Sequence, residues 1–236
     1  MKTLGLIISR LPVLTIATIS VACTTAPATI QTGPDAEVSF DGLHKVDNSQ
    51  ADFAWAKPDF DISNYTKIML VGAGVEYVPT KNRGRTSMER QMAAGGSYFI
   101  DDNARIRFEA LVAETFLQEM RKIERFELVT EAGPDVLMIR GNLLDVVSYV
   151  PADEFSRTAG RTAIFISAVG EATLVLELRD SETTAILARS VDRRAAQSAG
   201  RTMFESNRVT NASEVRRLVR FWATRLREGL DGFGQE

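Results

Sequence analysis

Between residues 170 and 180 the sequence reads GEATLVLELRD, and its side chains change character at every step. Ala172, Leu174, Leu176 and Leu178 alternate with Glu171, Thr173, Val175, Glu177 and Arg179. Successive side chains of an extended strand point to opposite faces, so this pattern demands a half-buried strand with one wet face. Asp180 to Thr183 then supplies a turn, and AILARSVDRRA returns as the hairpin partner. A sheet of this kind needs an apolar layer over one side only. The chain has a single cysteine in 236 residues, so no internal disulfide can hold that layer in place and packing must do so.

Two stretches at helical spacing are the candidates for the layer. Asp101 or Asp102 caps the first, in which Phe108, Leu111, Val112, Thr115, Phe116, Met120 and Ile123 fall on one face. The second opens on Asn211 and Glu214, akin to a capping box, and lines up Val215, Leu218, Val219, Trp222, Leu226, Leu230 and Phe233. Burying about seven such side chains at roughly 1.5 to 3 kcal/mol each outweighs any surface ion pair, so Leu226→Asp is expected to unfold the last helix. Trp222 lies inside the apolar stripe and is read as core.

Further strands are expected elsewhere. Ile68 to Val78 is dense enough for a central buried strand. Gly72 and Gly74 inside it lack the third glycine and the following helix of a dinucleotide fingerprint, so they predict a bulge or close packing. FELVTEAGPDVLMIRGNLLDVVSYV reads as a strand, a Gly133-Pro134-Asp135 turn and a longer strand with Leu137, Ile139, Leu143 and Val147 on one side. Phe53, Trp55, Phe60 and Tyr65 are expected to plug a turn-rich entry segment onto a sheet face, and residues 80 to 100 read as a long loop. The expected fold is α+β: an antiparallel or mixed sheet with two long amphipathic helices packed on one face, in a single domain over residues 39–236.

The N-terminus reads as an address. Lys2 and Arg10 precede a short apolar run, Leu11 to Val21, closed by small residues, which is the order of a secretory signal. The run is too short for a membrane span, which needs about 20 apolar residues. Ser20-Val21-Ala22-Cys23 resembles the lipobox of bacterial lipoproteins, although Ser20 stands where Leu is usual; ordinary small-x-small cleavage at Ser20-x-Ala22 is the competing reading. Lipidation of Cys23 is favoured. The thiol sits at the cleavage point, and Thr24 to Pro34 has the composition of a flexible tether. The expected organisation is a signal peptide over 1–22 and a tether over 23–38. Thr24 in place of Asp points, by resemblance to lipoprotein sorting signals, to the outer membrane.

A net charge of −3 and a pI near 5.4 argue against a nucleic-acid partner. His44 is the only histidine, which leaves no Ser-His or Cys-His dyad without it and no clustered His/Cys metal site; no cofactor and no metal are expected. Asp145, Asp180 and Asp192 are the acids that a carboxylate-dependent reaction on a sheet edge would call on, against the plainer reading of turn and edge acids.

The segments FDGLHKVDNSQADFAWAKPDFDISNYTKIMLVGAGVEY, RFELVTEAGPDVLMIRGNLLDVV, GEATLVLELRDSETTAILARSVDRRAA and EVRRLVRFWATRLREGLD resemble the bacterial lipoprotein family catalogued as domain of unknown function 3313. The resemblance runs from about Phe40 to Asp231, and Asp41-Gly42-Leu43, Gly133-Pro134-Asp135-Val136-Leu137, Gly170-Glu171-Ala172 and Trp222-Ala223-x-x-Leu226 carry it most specifically. Thr184 departs from it, since members tend to place glycine in that hairpin turn. The resemblance implies an envelope location and this fold class, and it transfers no catalytic or binding residue. Two functions follow as expectations. The favoured one is a non-enzymatic, outer-membrane-anchored, periplasm-facing lipoprotein that serves an envelope transport or assembly complex through an unidentified protein partner. The alternative is a carboxylate-dependent hydrolase of cell-wall or glycan substrates.

Overall fold

The computed structural model describes residues 26–79, 97–150, 165–197, 200 and 203–232. Along the chain these form β1 (Thr29–Ile30), β2 (His44–Asp47), β3 (Phe53–Ala56), β4 (Lys67–Tyr77), α1 (Asp102–Met120), β5 (Glu127–Val129), β6 (Val136–Ser148), β7 (Phe165–Ile166), β8 (Gly170–Asp180), β9 (Ile186–Ala195), β10 (Phe204–Glu205) and α2 (Arg208–Gly232). Eight strands make one mixed sheet in the order β1-β2-β3-β9-β8-β6-β4-β5, while β7 and β10 pair separately.

The hairpin required by the alternating sequence is the middle of the sheet, with Leu174 opposite Asp192 and Glu177 opposite Arg189. Ala172, Leu174 and Leu176 are buried on the helix side. They join Ile68, Met120, Leu137, Ile139, Leu143, Trp222 and Leu230 in the main core.

The expectation of a sheet with two long amphipathic helices packed on one face is overturned. The large mixed sheet dominates the molecule, and the two helices are unequal. α2 buries Asn211, Val215, Val219, Trp222, Ala223 and Leu230 along its 25 residues. α1 buries only Ala104, Thr115, Glu119 and Met120, two of them polar. Its apolar residues Phe108 and Leu111 border a cavity, so the stripe is only half covered.

Other expectations are corrected in the same way. β4 is second from the sheet edge, and of its eleven residues Ile68 alone is buried. It runs parallel to both neighbours, so the segment joining β5 to β6 crosses its start instead of folding back as a hairpin. Asp135 pins that crossing: its carbonyl accepts from the Thr66 and Lys67 amides at 3.0 and 3.1 Å, and its carboxylate accepts from Lys67 Nζ at 3.1 Å. The glycines of β4 do mark a bulge, with the register shifting between Gly72 and Gly74. A second bulge in β6 places Asp145 at φ 52° and turns Val146 into the core where Val147 was expected. Thr29–Ile30 pairs with β2, so the segment expected to be tether is already part of the sheet there. Phe53 and Trp55 lie within β3 and stack at 5.9 Å. Leu226 is half-buried, which moves the most damaging site for a charge on α2 to Val219 or Leu230, each 2% exposed.

Capping follows the sequence expectation at one helix and departs from it at the other. Of the two aspartates the sequence offers as cap, Asp101 serves: its Oδ1 accepts from the Ala104 amide at 2.8 Å. α2 begins three residues before Asn211, and its first turn is capped by Asn207, whose Oδ1 accepts from the Val209 and Thr210 amides at 3.0 Å each. Asn211 is fully buried and exchanges hydrogen bonds with Ser206.

Among the described residues, the opposite face of the sheet carries ions and no helix. Glu177 lies between Arg179 at 2.8 Å and Arg189 at 3.1 Å, and Arg189 reaches on to Asp41 at 2.6 Å. Burial raises the Glu177 carboxyl, but hydrogen bonds from both arginines outweigh it and hold the group below its ordinary 4.5. A carboxyl depressed on folding contributes stability above its unfolded value and loses it as the pH falls through the native one. Unfolding by urea at about pH 7 and about pH 3 should therefore show an acid loss of stability that Glu177→Gln makes shallower. A second expectation concerns Thr184, which adopts φ 60°, a left-handed conformation that a β-branched residue enters at a cost. Thr184→Gly should raise the unfolding free energy by up to about 1 kcal/mol, whereas an ordinary turn position would lose stability on the same change.

Candidate functional site

The three acids singled out in the sequence do not converge. Asp180 sits at the end of β8, where its Oδ1 accepts from the Thr183 amide at 2.7 Å and its Oδ2 from the Tyr65 hydroxyl at 3.2 Å. Those bonds, that from Thr183 foremost, lower its pKa. Asp145 is exposed at the bulge, 3.4 Å from Thr173 Oγ1. Seven strand residues separate Thr173 from Asp180, or about 23 Å. Asp192 lies on the helix side beneath α2, while Asp145 is at the exposed bulge. Among the described residues, each carboxyl clearly displaced from its ordinary pKa is displaced downward, so none of these is held protonated as a general acid must be.

Asp192 is a structural node. It is 7% exposed, and the Trp222 indole N–H donates to its Oδ2 at 2.6 Å. Arg194 forks onto both carboxylate oxygens at 2.6 and 3.2 Å, and its guanidinium lies 4.3 Å from the Phe221 ring centre. Trp222 is thus core, as its register implied, with its polar edge spent on the sheet. A hollow of about 360 Å³ beside this node has Asp192 and Glu228 in its wall. Both oxygens of Asp192 are already occupied there.

His44 Nδ1 lies 2.8 Å from the Gln31 carbonyl oxygen and ties β2 to the segment after β1. Cys23 and the apolar run before it lie outside the described residues, as do residues 80–96 of the expected long loop and Phe233 of the last helical stripe. Among the described residues, no cluster of His, Cys, Asp and Glu is placed to hold a metal, and no helix is long and apolar enough to cross a membrane.

The sequence reading missed a cavity of about 240 Å³ between α1, α2 and the sheet. Phe108 and Leu111 of α1, Val215 and Val219 of α2, and Leu143 and Val146 of β6 form much of its wall. These residues are far apart in the chain, so no local pattern announces the space. Arg107, Arg208 and Arg216 border it, and each is exposed, with no carboxylate partner among the described residues. The one carboxylate among the described lining residues, Glu171, is bound by Arg193 Nη2 at 2.5 Å. Residues 208, 212, 215, 216 and 219 share one helix face by their spacing, and Ala104, Arg107, Phe108 and Leu111 share another. That spacing was readable, but what it faced was not.

The family described as "Protein of unknown function (DUF3313)" matches residues 36–226. The chain belongs to this family. No curated protein matches it. Among solved structures the DUF3313 chain is similar to the PelC dodecamer from Paraburkholderia phytofirmans, at 10% identity over 75% of this chain and 94% of that one, with a TM-score of 0.34. It is also similar to protein XCC0632 from Xanthomonas campestris, at 12% identity over 73% and 86% of the two chains and a TM-score of 0.37. A putative neuraminyllactose-binding hemagglutinin homolog from Helicobacter pylori shows 12% identity over 72% and 89%, again with a TM-score of 0.37. Function has to be read from the residues of the DUF3313 chain itself.

The Asp192 node yields a direct expectation. Asp192→Ala strands a buried indole N–H and removes the partner of Arg194, and should cost about 3 kcal/mol of unfolding free energy. Asp192→Asn keeps an acceptor and should cost less than half of that, both read from denaturant midpoints.

Proposed function

We propose that this protein is a lipid-anchored, periplasm-facing lipoprotein of the outer membrane that works as a non-enzymatic binding module, accessory to an envelope transport or assembly complex. The observation that carries the binding reading is the cavity between the helices: its wall is apolar, and the single carboxylate among its described lining residues is already engaged by Arg193. A pocket built in this way can hold a molecule but offers no free acid or base from those residues to transform it. The anchor rests on the sequence. Cys23 follows Ser20-Val21-Ala22 at the end of a short apolar run, and several acyl chains on that cysteine, at about 0.8 kcal/mol for each buried methylene, would hold the body to a bilayer.

Intact-mass measurement of protein extracted from membranes should find a chain beginning at Cys23 and carrying the added mass of acyl groups. Cys23→Ser should move the protein from the detergent phase to the aqueous phase. A bare Cys23 sulfur in the membrane-extracted protein would overturn the anchor. Crosslinking in intact envelopes should couple the wild-type protein to another envelope protein, and a chain that stays uncoupled would count against the accessory role.

A further inference from the structure

We infer that the cavity between α1 and α2 binds the acyl chain of a single-chain lipid whose anionic head group is held by Arg107, Arg208 and Arg216. This deepens the binding-module reading and rests on it for the cavity alone; it stands whether or not Cys23 is acylated.

The chemistry of the wall selects the tail. Its lining is predominantly apolar, and a hollow of about 240 Å³ that opens to solvent leaves apolar wall that an apolar group would remove from water. Allowing a methylene about the room of one water, roughly 30 Å³, the space takes on the order of eight carbons. That is enough for one chain and too little for two.

The rim selects the head. Arg208 and Arg216 stand eight residues apart on one face of α2, about 12 Å along the axis, and Arg107 of α1 lines the same cavity. In a chain of net charge −3, three guanidiniums with no carboxylate partner among the described residues gather at one apolar mouth. Guanidinium is the side-chain group best matched to a carboxylate or phosphate oxygen pair. The Glu171 carboxylate at the same mouth does not repel such a head, because Arg193 neutralises it. The β6 bulge completes the arrangement: by turning Val146 inward and Asp145 out to solvent, it keeps an acid off the cavity floor.

Trp222 borders the cavity and reports on its occupancy by fluorescence. The full-length protein and its Cys23→Ser form would be titrated, below micelle-forming concentrations, with decyl phosphate, decanoate, decanol, decyltrimethylammonium and inorganic phosphate. The two anionic ligands should bind saturably, at least tenfold more tightly than decanol, with decyltrimethylammonium weakest and inorganic phosphate without effect. Shortening the tail should weaken binding about fourfold for each methylene removed. Replacing Arg107, Arg208 and Arg216 together with glutamine should weaken decyl phosphate tenfold or more and leave decanol unchanged. Ala212→Trp, which fills the space from a half-buried position on α2, should abolish binding of every tail while the circular dichroism of the fold is retained.

Equal affinity for the anionic and cationic heads would overturn the role of the arginines. Inorganic phosphate binding as tightly as decyl phosphate would overturn the role of the tail. Absence of saturable binding to folded protein in both forms would overturn the proposal outright. If binding appears only in the Cys23→Ser form, the cavity is occupied by the protein's own acyl group and the free-lipid assignment fails, although the anchor stands.

Discussion

One requirement organises this molecule: a mixed sheet has a single apolar face, and that face must be covered without help from a disulfide. α2 does most of the covering, with Val215, Val219, Trp222, Ala223 and Leu230 buried along its length. Apolar burial supplies the free energy but tolerates sliding, since one leucine contact resembles the next. The Trp222 to Asp192 hydrogen bond does not slide. It fixes both the rotation and the axial position of α2 over β9, because a displacement of one helical turn would strand a buried indole N–H, while Asp192 would keep only Arg194. Glu119 performs the same service between the helices: 5% exposed on α1, it is held by Arg227 of α2 at 3.3 Å and by Lys122.

The wet face solves a different problem. Its middle rows are held by charge: Glu177 on β8 links Arg179 to Arg189 on β9, and Arg189 reaches Asp41 in the turn before β2. Ion pairs of this kind contribute little when fully exposed, but these side chains are only 15–19% exposed, so solvent screens them less. The ladder thereby joins the central hairpin to the N-terminal strands. It also explains how β1 and β2, too short to be stable alone, remain attached at the edge of the sheet.

What could be read from the residues followed the range of the interactions involved. The β8–β9 hairpin, a cap at Asp101 or Asp102 and a bulge or close packing at the β4 glycines depend on neighbours a few positions away, and the pattern offers each; the fold selects Asp101 and the bulge. Asn211 misled because Asn-x-x-Glu is a valid cap signal; Asn207 lies four residues earlier with an equally suitable side chain, and only the buried Ser206 contact shows which asparagine is inside the helix. Period-two counting points Val147 inward because it assumes an unbroken ladder, and the bulge at Asp145 resets the count. The parallel placement of β5 and β6 on either side of β4 depends on a crossing loop whose anchor, Asp135, looks in sequence like any turn acid. The apolar stripe of α1 promises more burial than the fold gives it, for a related reason. The stripe is real, but a stripe says nothing about whether a sheet, a helix or empty space lies opposite.

That empty space is the most informative departure from good packing. If it were sealed and dry, about 240 Å³ of apolar cavity would cost on the order of 6 kcal/mol, comparable with the whole stability of an ordinary domain. A chain selected for stability alone has a simple remedy, since Ala104, Ala212 and Gly170 all border the space and two of them could carry larger side chains. Gly170 could not, because a Cβ there would meet the Val147 carbonyl oxygen at 2.2 Å. The small residues on the two helices have no such excuse, and the same two helices bring to the opening arginines that pair with no carboxylate among the described residues. Small side chains where large ones would stabilise, with cations where neutral residues would serve, are the signature of a space kept for something other than the protein's own side chains.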